Sequence, residues 1–444
     1  MRILLVTSTI PDPGRQASHI VLNATIEQIR RHGHTVIYQR IVRDRGTVTA
    51  EDEQQMKRLA ESGVEVLPLL AASDSTKPLP RGLAGRLRRH LATKPADLYP
   101  EVLLKEELER RAKAAGADVL FIFWNPEGLA ASYGIRSVPK FVYYGMPDNA
   151  AGEARFNHPE LFDIPHRRPG QKLRLAAYKR ENAKRLKFHL QFLQECRTIS
   201  NLSAFHAEWY KKLGHPRSLY IPNMWPDTRR KEGGRAPDSS MLPYKLLGSV
   251  GNVFATGNTF GLHYFGTQVL SLLRKKLGEG TFEFHIYGRG KAYGSVREAL
   301  RAPEIKWRGW VPDLDEEIRS CHLFLIMNNA GEYRGAHTRF LHAWSLNACV
   351  VAHAANTICM PEIVHGENAL LGNDAEEISD WVVKALADRH LRYEIGEGGR
   401  RTHQRYFTPE VVVPKMLTEL MRCVSGTSVS PPDVQPAEKV LALR

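Results

Sequence analysis

The chain has 444 residues, 43% hydrophobic and 25% charged, so it holds enough apolar side chain to offset chain entropy and is not a mainly disordered protein. At about 150 residues per domain, that length makes two large domains or three small ones. The formal net charge is +14, and residues 1–250 carry the whole excess, 40 basic against 26 acidic side chains, while 251–444 carry 22 of each.

A first strand over residues 2–8 runs into the loop Pro11-Asp12-Pro13-Gly14-Arg15-Gln16. A helix over 18–32 follows, stopped by Gly33, and a strand over 35–39 completes a βαβ unit of a parallel sheet. Further strands are expected at 64–69, 118–123 and 140–144, then a helix over 171–195 and strands at 197–200 and 218–221. Residues 226–243 are polar and lack apolar periodicity, so they read as a linker. Strands resume at 245–250, 282–287, 305–307, 323–327 and 349–353, alternating with helices near 266–277, 296–302, 315–320, 337–346 and 375–387. A helix over 409–424 is expected to cross back to the first domain, and 425–444 reads as a disordered tail. The domains are therefore 1–225 and 244–408, each an α/β Rossmann-like doubly wound sheet, with ligands in the cleft between them at the carboxyl ends of the strands.

Five widely spaced cysteines without a CxxC pair exclude a disulfide framework or a zinc knuckle. They read as reduced core thiols, which suits a cytoplasmic protein. No run approaches 18 apolar residues, so any membrane contact is peripheral. No two histidines stand four apart, and no metal is expected.

The chemistry concentrates in Gly331-Glu332-Tyr333-Arg334-Gly335-Ala336-His337-Thr338-Arg339-Phe340-Leu341-His342-Ala343-Trp344. This segment follows a buried strand and opens a helix, whose first N–H groups and dipole favour an anion. Arg339 sits in the first turn, where it can pair with a phosphate. The competing reading is an ordinary capped helix start with an exposed arginine. Around it stand Gly248-Ser249-Val250-Gly251-Asn252, Tyr287-Gly288-Arg289-Gly290, Arg308-Gly309-Trp310-Val311 and Pro361–Leu371.

In this order, residues 245–410 resemble the nucleotide-sugar domain of GT-B glycosyltransferases, specifically the glycosyl transferases group 1 family (glycosyltransferase family 4-like). Gly335–Ala343 is similar to that family's helix, with Arg339 at a basic position. Residues 361–371 resemble its last turn, and Gly33-His34-Thr35-Val36 is similar to its Gly-His-x-Val. The resemblance implies a GT-B fold and a retaining, metal-independent transfer of a sugar from a nucleotide-diphosphate donor to an acceptor hydroxyl. It implies no cofactor beyond the nucleotide sugar. Donor contacts are expected at Gly14, Gly251, Asn252, Arg289, Trp310, Val311, Gly335, Thr338, Arg339 and His342, with Glu332, Arg334 and Asp148 as catalytic candidates. The family carries two glutamates where this sequence has Arg334 and His342. That departure keeps open a GT-B-like protein that binds nucleotide or glycan without transferring, and a nucleotide-sugar epimerase on the same fold.

Asp313-Leu314-Asp315 has DxD spacing, but it leads into a helix and reads as capping. Asn125, Glu127 and Asp148 follow strands of the first half and are candidates for acceptor contacts, with a turn as the plainer role of Asp148. Residues 151–250 hold 19 basic against 9 acidic side chains. No nucleic-acid motif accompanies them, so the expected partner is an anionic or lipid-linked glycan acceptor, the latter at the inner face of an anionic membrane. A second basic cluster is Arg81, Arg86, Arg88 and Arg89.

Overall fold

The computed structural model describes residues 1–14, 17–75, 94–123, 125–144, 146–215, 217–227, 242–328, 334–335 and 338–426. They form two compact units. One comprises Met1–Asn149, Ala176–Pro222 and the residues from Pro409 on; the other comprises Ala150–Leu175 and Asn223–Thr408. Residues 150–175 thus cluster with the second unit, whereas the sequence reading runs the first domain unbroken to 225. Most of the expected linker, the Arg81–Arg89 cluster and almost all of the expected tail lie outside the described residues.

The first unit holds an eight-stranded sheet. Its strands are β1 (Arg2–Thr7), β2 (Thr35–Val42), β3 (Glu65–Val66), β4 (Leu70–Ala71), β5 (Val119–Phe123), β6 (Lys140–Tyr144), β7 (Thr198–Asn201) and β8 (Ser218–Tyr220). The order is β3-β2-β1-β5-β6-β7-β8, with β4 also on β2, and every pairing is parallel. Ile3, Leu4, Leu5 and Val6 are fully buried, as a strand covered by helices on both faces requires. Gly33, at φ 77°, ends helix Ala17–Arg31 in a conformation that costs a side chain energy. Helix Pro409–Ser425 packs on this unit, with Gln28 Nε2 donating to Glu410 Oε1 at 2.7 Å.

The second unit holds β9 (Tyr244–Ser249), β10 (Phe282–Tyr287), β11 (Ile305–Gly309), β12 (Leu323–Ile326), β13 (Val350–His353) and β14 (Leu370–Gly372), in the parallel order β11-β10-β9-β12-β13-β14. The chain leaves β9 in one direction and returns to β12 on its other side. That reversal is where doubly wound sheets bind ligands, beyond the carboxyl ends of the strands. Continuous helix covers Thr256–Tyr264, a π turn at Phe265–Val269 and Leu270–Leu277, about ten residues more than the sequence reading of 266–277. Helix Arg389–Tyr406 has no counterpart in that reading. All five cysteines are buried and free, and burial pushes the thiols of Cys196 and Cys321 up to about 12. Among the described residues, no helix is long and apolar enough to cross a membrane.

Candidate functional site

The loops after β9, β10, β11 and β12 all leave the same edge of the second sheet, because the strands are parallel. Two of them are stitched together. The Arg289 N–H donates to Gly251 O at 3.1 Å, and the Val253 N–H donates to Arg289 O at 3.2 Å. Asn252 and Arg289 form an isolated parallel bridge. Glycine is required here, since a Cβ on Gly288 would lie 1.7 Å from Gly251 O, at a φ of 121°. The Gly288 N–H also donates to Gly309 O at 2.7 Å, which brings the loop carrying Trp310 and Val311 alongside. Trp310 is 68% exposed.

Beyond β12, Asn328 forms a second node. Arg339 Nη2 donates to Asn328 Oδ1 at 2.7 Å, and Asn356 Nδ2 donates to Asn328 O at 3.1 Å. A Cβ on Gly261 would lie 2.7 Å from Asn328 Oδ1, so helix Thr256–Tyr264 seats directly against this node. Thr338 opens helix Thr338–Ser345, on which Arg339 and His342 both lie. Gly335 is buried and Arg334 half-buried. Glu332 lies outside the described residues, as do Arg15 and His337.

His342 is 8% exposed. Its Nε2 donates to Asp315 Oδ1 at 2.7 Å, and its ring lies 4.7 Å from that of Trp225. Asp313 caps helix Leu314–Arg319 by accepting from the Glu316 N–H at 3.0 Å. The pair therefore divides its work: one carboxylate caps, the other holds the histidine. Two buried polar atoms at this edge, Ser249 Oγ and Asn356 Oδ1, have no hydrogen-bond partner among the described residues. Buried polar groups are ordinarily satisfied by protein, water or ligand.

In the first unit the candidates follow β5 and β6. Asn125 accepts from the Gly128 N–H at 2.6 Å and caps helix Pro126–Ala131, a structural role. Asp148 does more than turn the chain. It accepts from the Tyr99 hydroxyl at 2.5 Å and lies 3.8 Å from Arg185 Nη1. Arg43 pairs with the fully buried Glu101 at 2.7 Å, and burial raises the nearby Glu127 carboxyl above its usual range. Gly14 belongs to this unit, where its N–H donates to Asp12 Oδ1 at 2.8 Å.

The structure thus brings Gly251, Asn252, Arg289, Val311 and Trp310 to one group of loops, and places Arg339 and His342 on the helix after β12. Asn328 and Asn356 are residues the sequence reading missed, and Asp315, read there as part of a capping segment, instead holds His342. A polar residue ending a buried strand is the signal that could have found Asn328.

A parallel sheet whose order reverses between β9 and β12, with polar residues gathered beyond the switch point, is a doubly wound α/β domain. Residues 244–388 match the family described as Glycosyl transferases group 1. Over 96% of its length the chain is similar in structure to all of the sucrose-phosphate synthase from Thermosynechococcus elongatus, with TM-score 0.63 and 12% identity. It is similar over 95% of its length to 99% of Anabaena HepE in complex with UDP-glucose, with TM-score 0.59 and 13% identity. It is also similar over 94% of its length to 99% of a mutant of S. aureus TarM in complex with fondaparinux, alpha-GlcNAc-glycerol and UDP, with TM-score 0.61 and 9% identity. No curated protein matches the chain in sequence. The fold is GT-B, and the family match covers about a third of the chain.

Proposed function

We propose that the protein transfers a sugar from a nucleotide-diphosphate donor, held by the second unit, to the hydroxyl of an anionic or lipid-linked glycan acceptor. The observation that carries this reading is the Arg339–Asn328 node beside the stitched loops 251–253 and 288–290, on a group 1 domain. Arg339 and the first N–H groups of helix Thr338–Ser345 would meet the diphosphate. Their stabilisation grows as the leaving group gains charge, which is electrostatic catalysis. Gly251, Asn252 and Arg289 would face the donor's phosphates, and Trp310 and Val311 its base. His342, with Nε2 committed to Asp315, has Nδ1 to offer a ribose hydroxyl. The Gly14 loop, Arg334, Glu332 and Asp148 would serve the sugar and the acceptor. The reaction would retain configuration and need no metal, as group 1 resemblance implies. The complexes of HepE with UDP-glucose and of TarM with UDP and fondaparinux support a nucleotide sugar and a glycan as the ligand classes.

Thermal-shift profiling against UDP, GDP, ADP and their sugars tests the donor site. One nucleotide series should raise the midpoint by an amount that grows with concentration over its dissociation constant. No shift with any of them would defeat the reading. A second reading, binding without transfer, is motivated by the engaged His342 and by Arg334 standing in glutamate positions. Sugar transfer or donor hydrolysis in a nucleotide-sugar screen would eliminate it.

A further inference from the structure

The second unit contains a cavity of about 350 Å³, at the small end of the roughly 300–1,000 Å³ that ligand pockets span. Residues 152–164 form one wall. The other is formed by Val253, Phe254 and Thr259 after β9 and by Ala292, Tyr293 and Val296 after β10. At the rim, Phe254 and Tyr293 stack, with centroids 4.5 Å apart and planes 19° apart. On the other wall Phe162 meets Phe260 edge to face at 5.9 Å. The rest of the lining, Phe156 included, is apolar except for Thr259 and one cation, Arg155. Arg155 lies 5.7 Å over the Phe162 ring and donates from Nε to Thr256 Oγ1 at 3.2 Å. Among the described residues no carboxylate pairs with Arg155. The cavity is therefore apolar inside, with an uncompensated guanidinium at its edge.

Two further features fix what such a cavity takes. Three residues beyond Ile164, which lines it, begin Arg167, Arg168, Lys172 and Arg174, all exposed, with Leu173 75% exposed among them. The cavity also shares its wall with the candidate donor loops. A Cβ on Gly290 would lie 2.4 Å from the Phe254 ring, so the loop carrying Arg289 rests on that ring. The segment forming the first wall is pinned in place, since a Cβ on Gly294 would lie 2.2 Å from Glu160 O.

We propose that this cavity is a second binding site, which takes the apolar chain of a lipid-linked phosphate with the phosphate against Arg155. At roughly 30 Å³ per heavy atom, it has room for about a dozen carbons. The phosphate end would emerge beside the donor loops, and the rest of the lipid would lie along the basic segment 167–174. The inference rests on the proposed transfer to a lipid-linked acceptor, and it assigns the acceptor's anchor to the donor-binding unit.

The test is titration calorimetry of the full chain with dodecyl phosphate below its micelle concentration, beside dodecanol and inorganic phosphate. One saturable site for dodecyl phosphate is expected, with dodecanol weaker and inorganic phosphate without measurable heat. Arg155→Gln should weaken dodecyl phosphate about tenfold and leave dodecanol unchanged. Ala292→Leu, which fills the cavity, should weaken both about tenfold. Thermal midpoints and nucleotide-induced shifts of both variants should match the wild type, which separates this site from the donor site and from misfolding. The proposal is overturned by non-saturable binding, by equal binding in all three proteins, by inorganic phosphate binding as tightly, or by displacement of dodecyl phosphate with UDP. Dodecyl phosphate binding without any nucleotide shift would leave the cavity assigned and defeat the donor reading instead.

Discussion

Arg339 and Gly288 show how differently two residues of the candidate site are constrained. Arg339 is half-buried and donates to Asn328 Oδ1, a neutral amide that can rotate or hydrate when the guanidinium is removed. Arg339→Ala is expected to lower turnover about 10²–10³-fold with a thermal midpoint near that of the wild type. Wild-type transfer rates in that variant would remove Arg339 from the diphosphate site. Gly288→Ala should do the reverse of a clean functional change. Its Cβ meets Gly251 O at 1.7 Å, and no side chain can move to relieve a backbone contact. The substitution should destabilise the fold by about 2–3 kcal/mol and weaken nucleotide binding with it, read from denaturant midpoints. Asp315 sits between these cases. Asp315→Asn keeps the shape and loses the carboxylate that orients His342, so nucleotide affinity should fall several-fold while stability changes little. An unchanged affinity would show that His342 does not touch the donor.

Elements that announce themselves by pattern were legible in the sequence. The central strands β1, β5, β9, β12 and β13 are short apolar runs bounded by turn residues, and helix Ala375–Ala387 matches its expected span. Helix Arg389–Tyr406 was not legible, because three glycines stand in its packing face. Gly396, Gly398 and Gly399 lie against Asn347 O, Glu367 O and the Trp344 ring, where a Cβ would come within 2.2, 1.7 and 2.2 Å. Glycine lowers helix propensity by about 1 kcal/mol per residue, so a local reading rejects what tertiary packing requires. The site divides in the same way. Glycine loops after strands were visible as motifs, whereas the Asp315–His342 pair is set by the fold bringing two helices together and no spacing rule encodes it. The glycine helix also carries His403, fully buried, with Nε2 donating to Trp225 O at 3.0 Å. Burial depresses its pKa to about 4, as it does for His189 in helix Pro169–Leu193. The unfolded chain titrates near 6.5, so it binds protons first as the pH falls. Stability from these groups is full above about pH 6.5 and lost down to about pH 4, by up to about 3 kcal/mol for each. Thermal midpoints should drop across that window, and His403→Gln should flatten the drop. An equally steep acid limb in the variant would assign it to other groups.

At the scale of the molecule, the +14 charge has a location. Nearly all of the family-matched segment 244–388 lies in the half that is balanced, and the surplus belongs to residues 1–250, including the exposed run Arg167, Arg168, Lys172, Arg174, Lys179, Arg180 and Lys187 on or beside one helix. If that run meets an anionic acceptor or membrane, acceptor affinity should fall as salt shortens the screening length from about 30 Å at 0.01 M to about 10 Å at 0.1 M. Donor affinity, held by a few placed groups, should fall less. Equal salt slopes for the two would detach the surplus from acceptor binding.

The first unit is also completed out of sequence. Val412, Val413, Met416, Leu417 and Leu420 of helix Pro409–Ser425 are buried, in a unit whose other residues end at Pro222. A ribosome adds roughly 5–20 residues per second, so residues 223–408 impose a wait of about 10–40 s on a nascent sheet that still lacks one of its covering helices. Arrested nascent chains ending before residue 409 should therefore stay protease-sensitive and chaperone-bound, and release should follow the emergence of that helix.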